Sequence, residues 1–218
     1  PPKQDIRMAQ MAAMARRHQP GLIMVDRTVG GAYENILTPE QKIPAEPLGR
    51  TWESCLTMGN GWAFRPNDHY KPTRELIHML VDIVAKGGNF LLNIGPDPDG
   101  QFAPEATRRM NEIGDWMAVN SEAIHGTRPI APYKEGNVCF TQKGDRVYGI
   151  LLAEEGATSP PSTVTLRGVL PASGSEVRML GVASPLVWSL GTDGALLNLP
   201  PGVRPCDHAW VLEFTPSM

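Results

Sequence analysis

"PTRELIHMLVDIVAKGGNFLLNIGP" (Pro72–Pro96) reads as a helix, a stop, a strand and a second stop. Pro72-Thr73 opens the helix, and Leu76, Ile77, Leu80, Val81 and Val84 fall on one side at helical spacing. Gly87-Gly88 ends it. Asn89–Ile94 is a short apolar run, a buried strand closed by Gly95-Pro96. The same alternation extends outward on both sides. Asp5–His18 spaces Ile6, Met8, Ala9, Met11, Ala12, Met14 and Ala15 as a helix, with Arg16-Arg17-His18 in the last turn. Gly21–Val25 reads as a second buried strand, and Pro104 opens a third helix through Met110, Ile113, Trp116 and Met117. Helix, strand, loop, helix, strand, loop, helix is the α/β repeat of a parallel sheet.

From about Asn137 the texture changes. Val138–Gln142, Arg146–Leu152, Ser162–Leu166, Glu176–Leu180, Leu186–Leu190, Ala195–Leu199 and Ala209–Phe214 are short strand candidates. Lys143-Gly144-Asp145, Thr192-Asp193-Gly194 and Pro200-Pro201-Gly202 supply turns between them. This spacing predicts an antiparallel β-sandwich. Thr127-Arg128-Pro129 is the expected junction, which divides the chain into an α/β part, 1–129, and an all-β part, 130–218.

Composition sets the bounds. With 218 residues and 41% apolar content, the chain can build one large core or two small ones. A formal net charge of −3 argues against nucleic acid or an anionic membrane as partner. Runs such as Phe90–Ile94 fall far short of the roughly 20 apolar residues of a membrane-spanning helix. The chain opens on Pro1-Pro2-Lys3 rather than Met, as the middle of something longer or a processed product would. Cys55, Cys139 and Cys206 show no CxxC spacing and read as small buried hydrophobes. His18, His69, His78, His125 and His208 show no metal-ligand spacing, so neither a metal nor a cofactor is expected. No GxSxG elbow accompanies Ser54 or Cys55, and no phosphate-loop pattern surrounds Gly87-Gly88.

The polar residues collect in the long loop after Val25. Asp26-Arg27 follow that strand directly, at the end where α/β barrels place their chemistry. Arg27 can fork onto a carboxylate or a pair of sugar hydroxyls, or the Asp-Arg pair can simply pin the loop. Glu34, Glu40 and Glu53 are the loop's candidate acids, with Glu46 weaker in its proline-flanked setting. Glycoside hydrolysis needs two carboxyl groups, one of them a proton donor. Glu40 sits in Thr38-Pro39-Glu40-Gln41, a stretch stiffened by proline. Trp52, Trp62 and Phe64 add aromatic area, either core or a platform for the apolar face of a sugar. Asn89 and Asn93 point to one side of their strand and are expected to brace the site.

Three segments, "DRTVGGAYENILTPEQKIP", "TWESCLTMGNGWAFRPND" and "ELIHMLVDIVAKGGNFLLNIGPDPDGQFAPEATRRMNEIGDWMAVNSEAIHGTRP", resemble the α-L-fucosidases, family twenty-nine of the glycoside hydrolases, in that family's order. The resemblance implies the C-terminal portion of a (β/α)8-like barrel followed by an antiparallel β-sandwich. It implies a retaining hydrolase that releases α-linked L-fucose from a fucosylated oligosaccharide or glycoconjugate. Glu40 matches the acid/base best, with Glu34 as runner-up. Arg27 matches a fucose-binding Arg, and Trp62 of "GWAFRP" an aromatic near the sugar's C5 methyl. Trp52-Glu53 matches a pair whose role is mainly structural. The family's nucleophile, an Asp in a Trp-x-Asp-Gly-type motif, and its early sugar-gripping His residues have no counterpart here. The 218 residues alone are therefore expected to be inactive on aryl fucosides. The resemblance also favours a periplasmic or secreted bacterial setting. The alternative is a non-catalytic fragment that binds carbohydrate or stabilises a partner, with Trp188 and Trp210 the tryptophans of the sandwich.

Overall fold

The structure is a computed structural model and describes residues 5–27 and 32–217. Three helices form where the apolar spacing predicts them. The first, α1 (Met8–His18), buries only Ala12 and ends on Arg16, Arg17 and His18, cations suited to a helix C-terminus. α2 (Thr73–Ala85) buries Leu76, Ile77, Val81, Ile83 and Ala85. α3 (Pro104–Asn120) has Pro104 in its first turn, where no amide partner is lost. On its exposed side Arg108 reaches Glu105 and Glu112, each at 2.7 Å.

The α/β part contains a strand that the sequence hides. β1 (Glu53–Thr57) lies inside the long loop and pairs in parallel with β2 (Asn89–Asn93), Glu53 facing Asn89 and Thr57 facing Asn93. Trp52 and every residue from Ser54 to Gly59 is buried, so no period-2 alternation marks the strand. Two further extended stretches join the same order through single parallel bridges. Glu40 lies beside Cys55, Leu37 beside Trp52, and Val25 beside Ile36. Gly21–Val25, expected as a full strand, is thus extended backbone with one bridge at its end; the Met24 carbonyl accepts from the Asn35 and Ile36 amides. The lateral order is Val25, Ile36–Glu40, β1, β2, all running the same way.

The expected strands after Asn137 are all present. β3 (Arg128–Glu135), β4 (Val138–Lys143), β5 (Arg146–Leu152), β10 (Ala209–Phe214) and β7 (Val177–Met179) form one antiparallel sheet in that lateral order. β6 (Thr163–Leu166), β9 (Gly194–Asn198) and β8 (Val187–Gly191) form the second. β3 begins inside the expected junction; its Pro129 and Pro132 weaken the strand pattern and fit an edge position, which it occupies.

The two sheets enclose a core of Phe140, Val147, Leu151, Leu166, Leu197, Leu212 and Phe214. The opposite face of the five-stranded sheet, through Cys139, Tyr148, Ile150 and Val211, packs on Ile77, Val81 and Ala85 of α2 and Trp116 of α3. The Trp116 indole donates to the Ala209 carbonyl at 2.9 Å. A third cluster, Trp52, Leu56 and Ile83, fixes β1 on α2. Trp52 is 1% exposed. Gly88 allows this packing, because a Cβ there would stand 2.4 Å from the Trp52 ring. The other face of the parallel stretches is less covered: Ile23 is 62% and Leu91 47% exposed. Among the described residues, no helix is long and apolar enough to cross a membrane.

Candidate active site

Strand alternation decides which side chains can meet. Trp52 and Leu56 face α2, so Glu53, Cys55 and Thr57 take the opposite face of β1. Glu40 bridges Cys55, and Asn93 lies across from Thr57. The C-terminal ends of four parallel stretches therefore converge, bringing Arg27, Glu40, Thr57 and Asn93 along one lip.

The contacts along that lip are specific. The Asp26 carboxylate accepts from the Thr38 amide at 2.8 Å and the Thr38 hydroxyl at 2.6 Å. The Thr38 hydroxyl, above all, holds the Asp26 carboxyl below the usual carboxylate range. This clip binds the chain after Val25 to the segment that carries Glu40. Arg27 then ion-pairs with Glu40 through Nη1 and Oε2, the side chains 42% and 48% exposed. Asp26 thus pins the loop through Thr38, and Arg27 reaches Glu40. Gln41 Nε2 donates to the Thr57 hydroxyl at 3.2 Å, and Thr57 donates to the Gly59 carbonyl at 2.7 Å. Lys71 Nζ adds a bond to the Thr57 carbonyl at 2.6 Å.

Trp62 stands on the adjoining loop, 41% exposed. Its neighbours Ala63 and Phe64 press on Gly95 just beyond β2; a Cβ on Gly95 would lie 2.4 Å from the Phe64 nitrogen. That close approach is what holds the Trp62 loop against the end of β2. The other loop acids have separate work. Glu34 pairs with Arg50 at 3.3 Å, its side chain nearly buried. Glu46 and the Ala45 carbonyl both accept from the Tyr133 hydroxyl at 3.2 Å. Trp52 is core, with its indole donating to the Lys86 carbonyl at 3.4 Å.

Two residues matter more than their sequence setting suggests. Lys86 is a buried cation after the last turn of α2, bonded to the Asp82 carboxylate at 2.8 Å and the Pro44 carbonyl at 2.9 Å. It ties the far side of the Glu40 loop to the helix; its place beyond a helix C-terminus was the available signal. Asn93, expected as a brace, has a buried Oδ1 without a hydrogen-bond partner among the described residues.

The remaining reactive groups are packing elements. Burial pushes the Cys139 thiol up to about 11, and Cys206 also rises. In the β part, Trp210 is buried, and the half-buried Trp188 spends its indole N–H on the Ser175 carbonyl, so neither forms an open platform. Among the described residues, no group of three or more His, Cys, Asp or Glu side chains is placed to hold a metal.

Known proteins resemble this chain in sequence and in fold. The family model described as alpha-L-fucosidase matches residues 1–122. Tissue alpha-L-fucosidase of Homo sapiens is 33% identical over 199 residues, covering 85% of this chain and 41% of that protein. Alpha-L-fucosidase isoenzyme 1 from Paenibacillus thiaminolyticus superposes with a TM-score of 0.82 at 25% identity, over 96% of this chain and 53% of that one. The Thermotoga maritima alpha-fucosidase solved in complex with fucose superposes at 0.80, with 24% identity over 98% and 50% of the two chains, and speaks for the fold alone. The chain spans about two fifths of the length of the curated relatives it matches.

Proposed function

The chain belongs to the α-L-fucosidase family, and on that footing we propose that it contributes the acid/base half of a retaining α-L-fucosidase site. Its parallel stretches are the closing part of a (β/α)8-like barrel, residues 1–129, and residues 130–218 are the sandwich that supports it. The substrate is a terminal α-L-fucose on an oligosaccharide or glycoconjugate.

The observation that carries the reading is the contact between Arg27 and Glu40 at the C-terminal lip of the parallel stretches. In barrel enzymes that lip is where substrate lies. Glu40 donates a proton to the departing oxygen, then takes one from water as the glycosyl intermediate is hydrolysed. When a sugar enters, Arg27 exchanges Glu40 for sugar hydroxyls, which frees the Glu40 carboxyl to carry the proton it donates. Trp62 lays its ring on an apolar face of the sugar. A nucleophilic carboxylate is required as well, and no Trp-x-Asp-Gly-type motif is present in these 218 residues. Turnover therefore requires a second polypeptide segment that supplies it.

The test is hydrolysis of aryl fucosides and fucosylated oligosaccharides. The chain alone releases no fucose; fused behind the N-terminal barrel segment of a related α-L-fucosidase, it does. In the fusion, Glu40→Gln lowers kcat/KM on oligosaccharides by roughly 10²–10⁴-fold. Aryl fucosides with good leaving groups suffer least, because their departure needs no proton. Turnover by the chain alone that survives Glu40→Gln overturns the assignment.

A further inference from the structure

A cleft of about 850 Å³ opens at the other end of the parallel stretches, beside Thr51 and Asn89, where β1 and β2 begin. Its polar lining includes Arg50, Lys86, His125 and Arg128, and among the described residues no Asp or Glu lines it. Lys143 extends the group at the rim: its Nζ lies 3.9 Å from where a Cβ on Gly126 would stand. The chain as a whole carries a net charge of −3, so this local excess runs against the overall sign.

Not all of these cations are free. Arg50 is paired with Glu34 and Lys86 with Asp82. Arg128 donates only to the carbonyl of its neighbour Thr127, at 2.9 Å, and neither Arg128 nor Lys143 has an ion-pair partner among the described residues. The end of α2, which also faces the cleft, would repel an anion if its carbonyls were bare. The Ile83 and Val84 carbonyls instead accept from the Gly88 and Gly87 amides, each at 2.9 Å. The large cleft near Arg74, Arg108, Arg109 and Arg204 makes the contrast: Glu112, Asp115 and Asp207 share its walls, and its arginines bond to protein groups.

We propose that the cleft beside Arg128 binds a sulfate or phosphate ester group carried on an oligosaccharide. A tetrahedral oxyanion suits guanidinium and ammonium donors on one cleft. Pockets that hold small ligands run to about 300–1,000 Å³, so this one holds the ester together with part of its carrier. The anion requirement follows from the lining; the sugar carrier rests on the proposed fucosidase reading. Because the cleft lies at the opposite end of the strands from Glu40, a ligand here anchors an anionic glycan without occupying the candidate active site.

The test is a ¹⁵N-shift titration of the full 218-residue chain at low ionic strength. The probes are inorganic sulfate, inorganic phosphate, a sulfated disaccharide and its desulfated counterpart. Shifts are expected at His125–Arg128 and Gly87–Asn89, with the sulfated disaccharide tighter than inorganic sulfate and the desulfated one silent. The double variant Arg128→Gln, Lys143→Gln, both exposed sites, weakens binding by about tenfold or more. Arg167→Gln, an exposed cation elsewhere, changes nothing. Unchanged affinity in the double variant, or shifts scattered over the surface, overturns the anion site. Equal binding of inorganic sulfate and sulfated disaccharide overturns the sugar carrier. No readout involves turnover or Glu40, so failure here is separable from failure of the fucosidase reading.

Discussion

The antiparallel part of the molecule closes its own core, and the parallel part does not. Phe140, Val147 and Phe214 are sealed between two antiparallel sheets, in which β3–β4, β4–β5 and β8–β9 are neighbouring hairpins and β10 and β6 pair at longer range. Ile23, Val25 and Leu91 stand largely in solvent on parallel stretches of the same chain. The difference lies in how each kind of sheet recruits partners. Antiparallel strands find theirs across a short turn; parallel strands need long crossovers and are covered only when many βα units assemble. A part that builds its own interior can support one that does not, and here the support runs through α2 and α3.

The comparison is sharpest under mutation. Phe214→Ala, in the sealed core, should lower unfolding stability by about 3–5 kcal/mol in denaturant melts. A loss under 1 kcal/mol would mean that the sandwich is not the stable half.

Acid should attack the seam between the two parts. His78 on α2 donates from Nε2 to the His208 carbonyl at 2.8 Å. Burial depresses both imidazoles below 6.5; Arg74 and Lys134 add to this at His78, whereas Asp207 and Glu112 oppose it at His208. The unfolded chain then binds more protons below 6.5, so this stability is complete above that pH and drains away as pH falls toward the folded values. The melting temperature should drop between pH 7.5 and 5.5, and less in His78→Gln. An equal drop in that variant would remove His78 from the account.

Asp26→Asn should cost about 1 kcal/mol locally, read as faster amide exchange across Ile36–Glu40 with β4 and β5 unchanged. The smallest effect is expected at Leu91→Ala, within about 0.5 kcal/mol, against about 2–5 kcal/mol for Leu197→Ala inside the sandwich. If the two leucines cost the same, the face that carries Leu91 is covered in solution and the contrast fails.

Legibility in the sequence follows the same division. The helices could be read from their apolar spacing, and β6, β7 and β9 from their alternation of buried and wetter residues; β4, β5 and β10 are buried on both faces and stand out instead as short apolar runs next to turn residues. β1 could not: Ser54, Cys55, Leu56 and Thr57 are all buried and give no period. β3 was obscured by Pro129 and Pro132, which an edge strand tolerates. In the candidate site, Arg27 and Glu40 were legible as residue types at a lip, but their contact was not. It depends on the Asp26–Thr38 clip and on Glu40 lying beside Cys55, both long-range pairings. The burial of Trp52 depends on Gly88, thirty-six positions away and meaningless until α2 folds back.

β10 lies between β5 and β7, and its residues serve the interior on both sides of the five-stranded sheet. It is also the strand synthesised after every other element described here. A ribosome can release α2, α3 and most hairpins early, yet neither interior gains the strand that joins β5 to β7 until Ala209–Phe214 emerges. A frameshift or stop codon shortly before Ala209 would therefore spare most of the polypeptide and still leave both interiors gutted, a substrate for quality-control proteases.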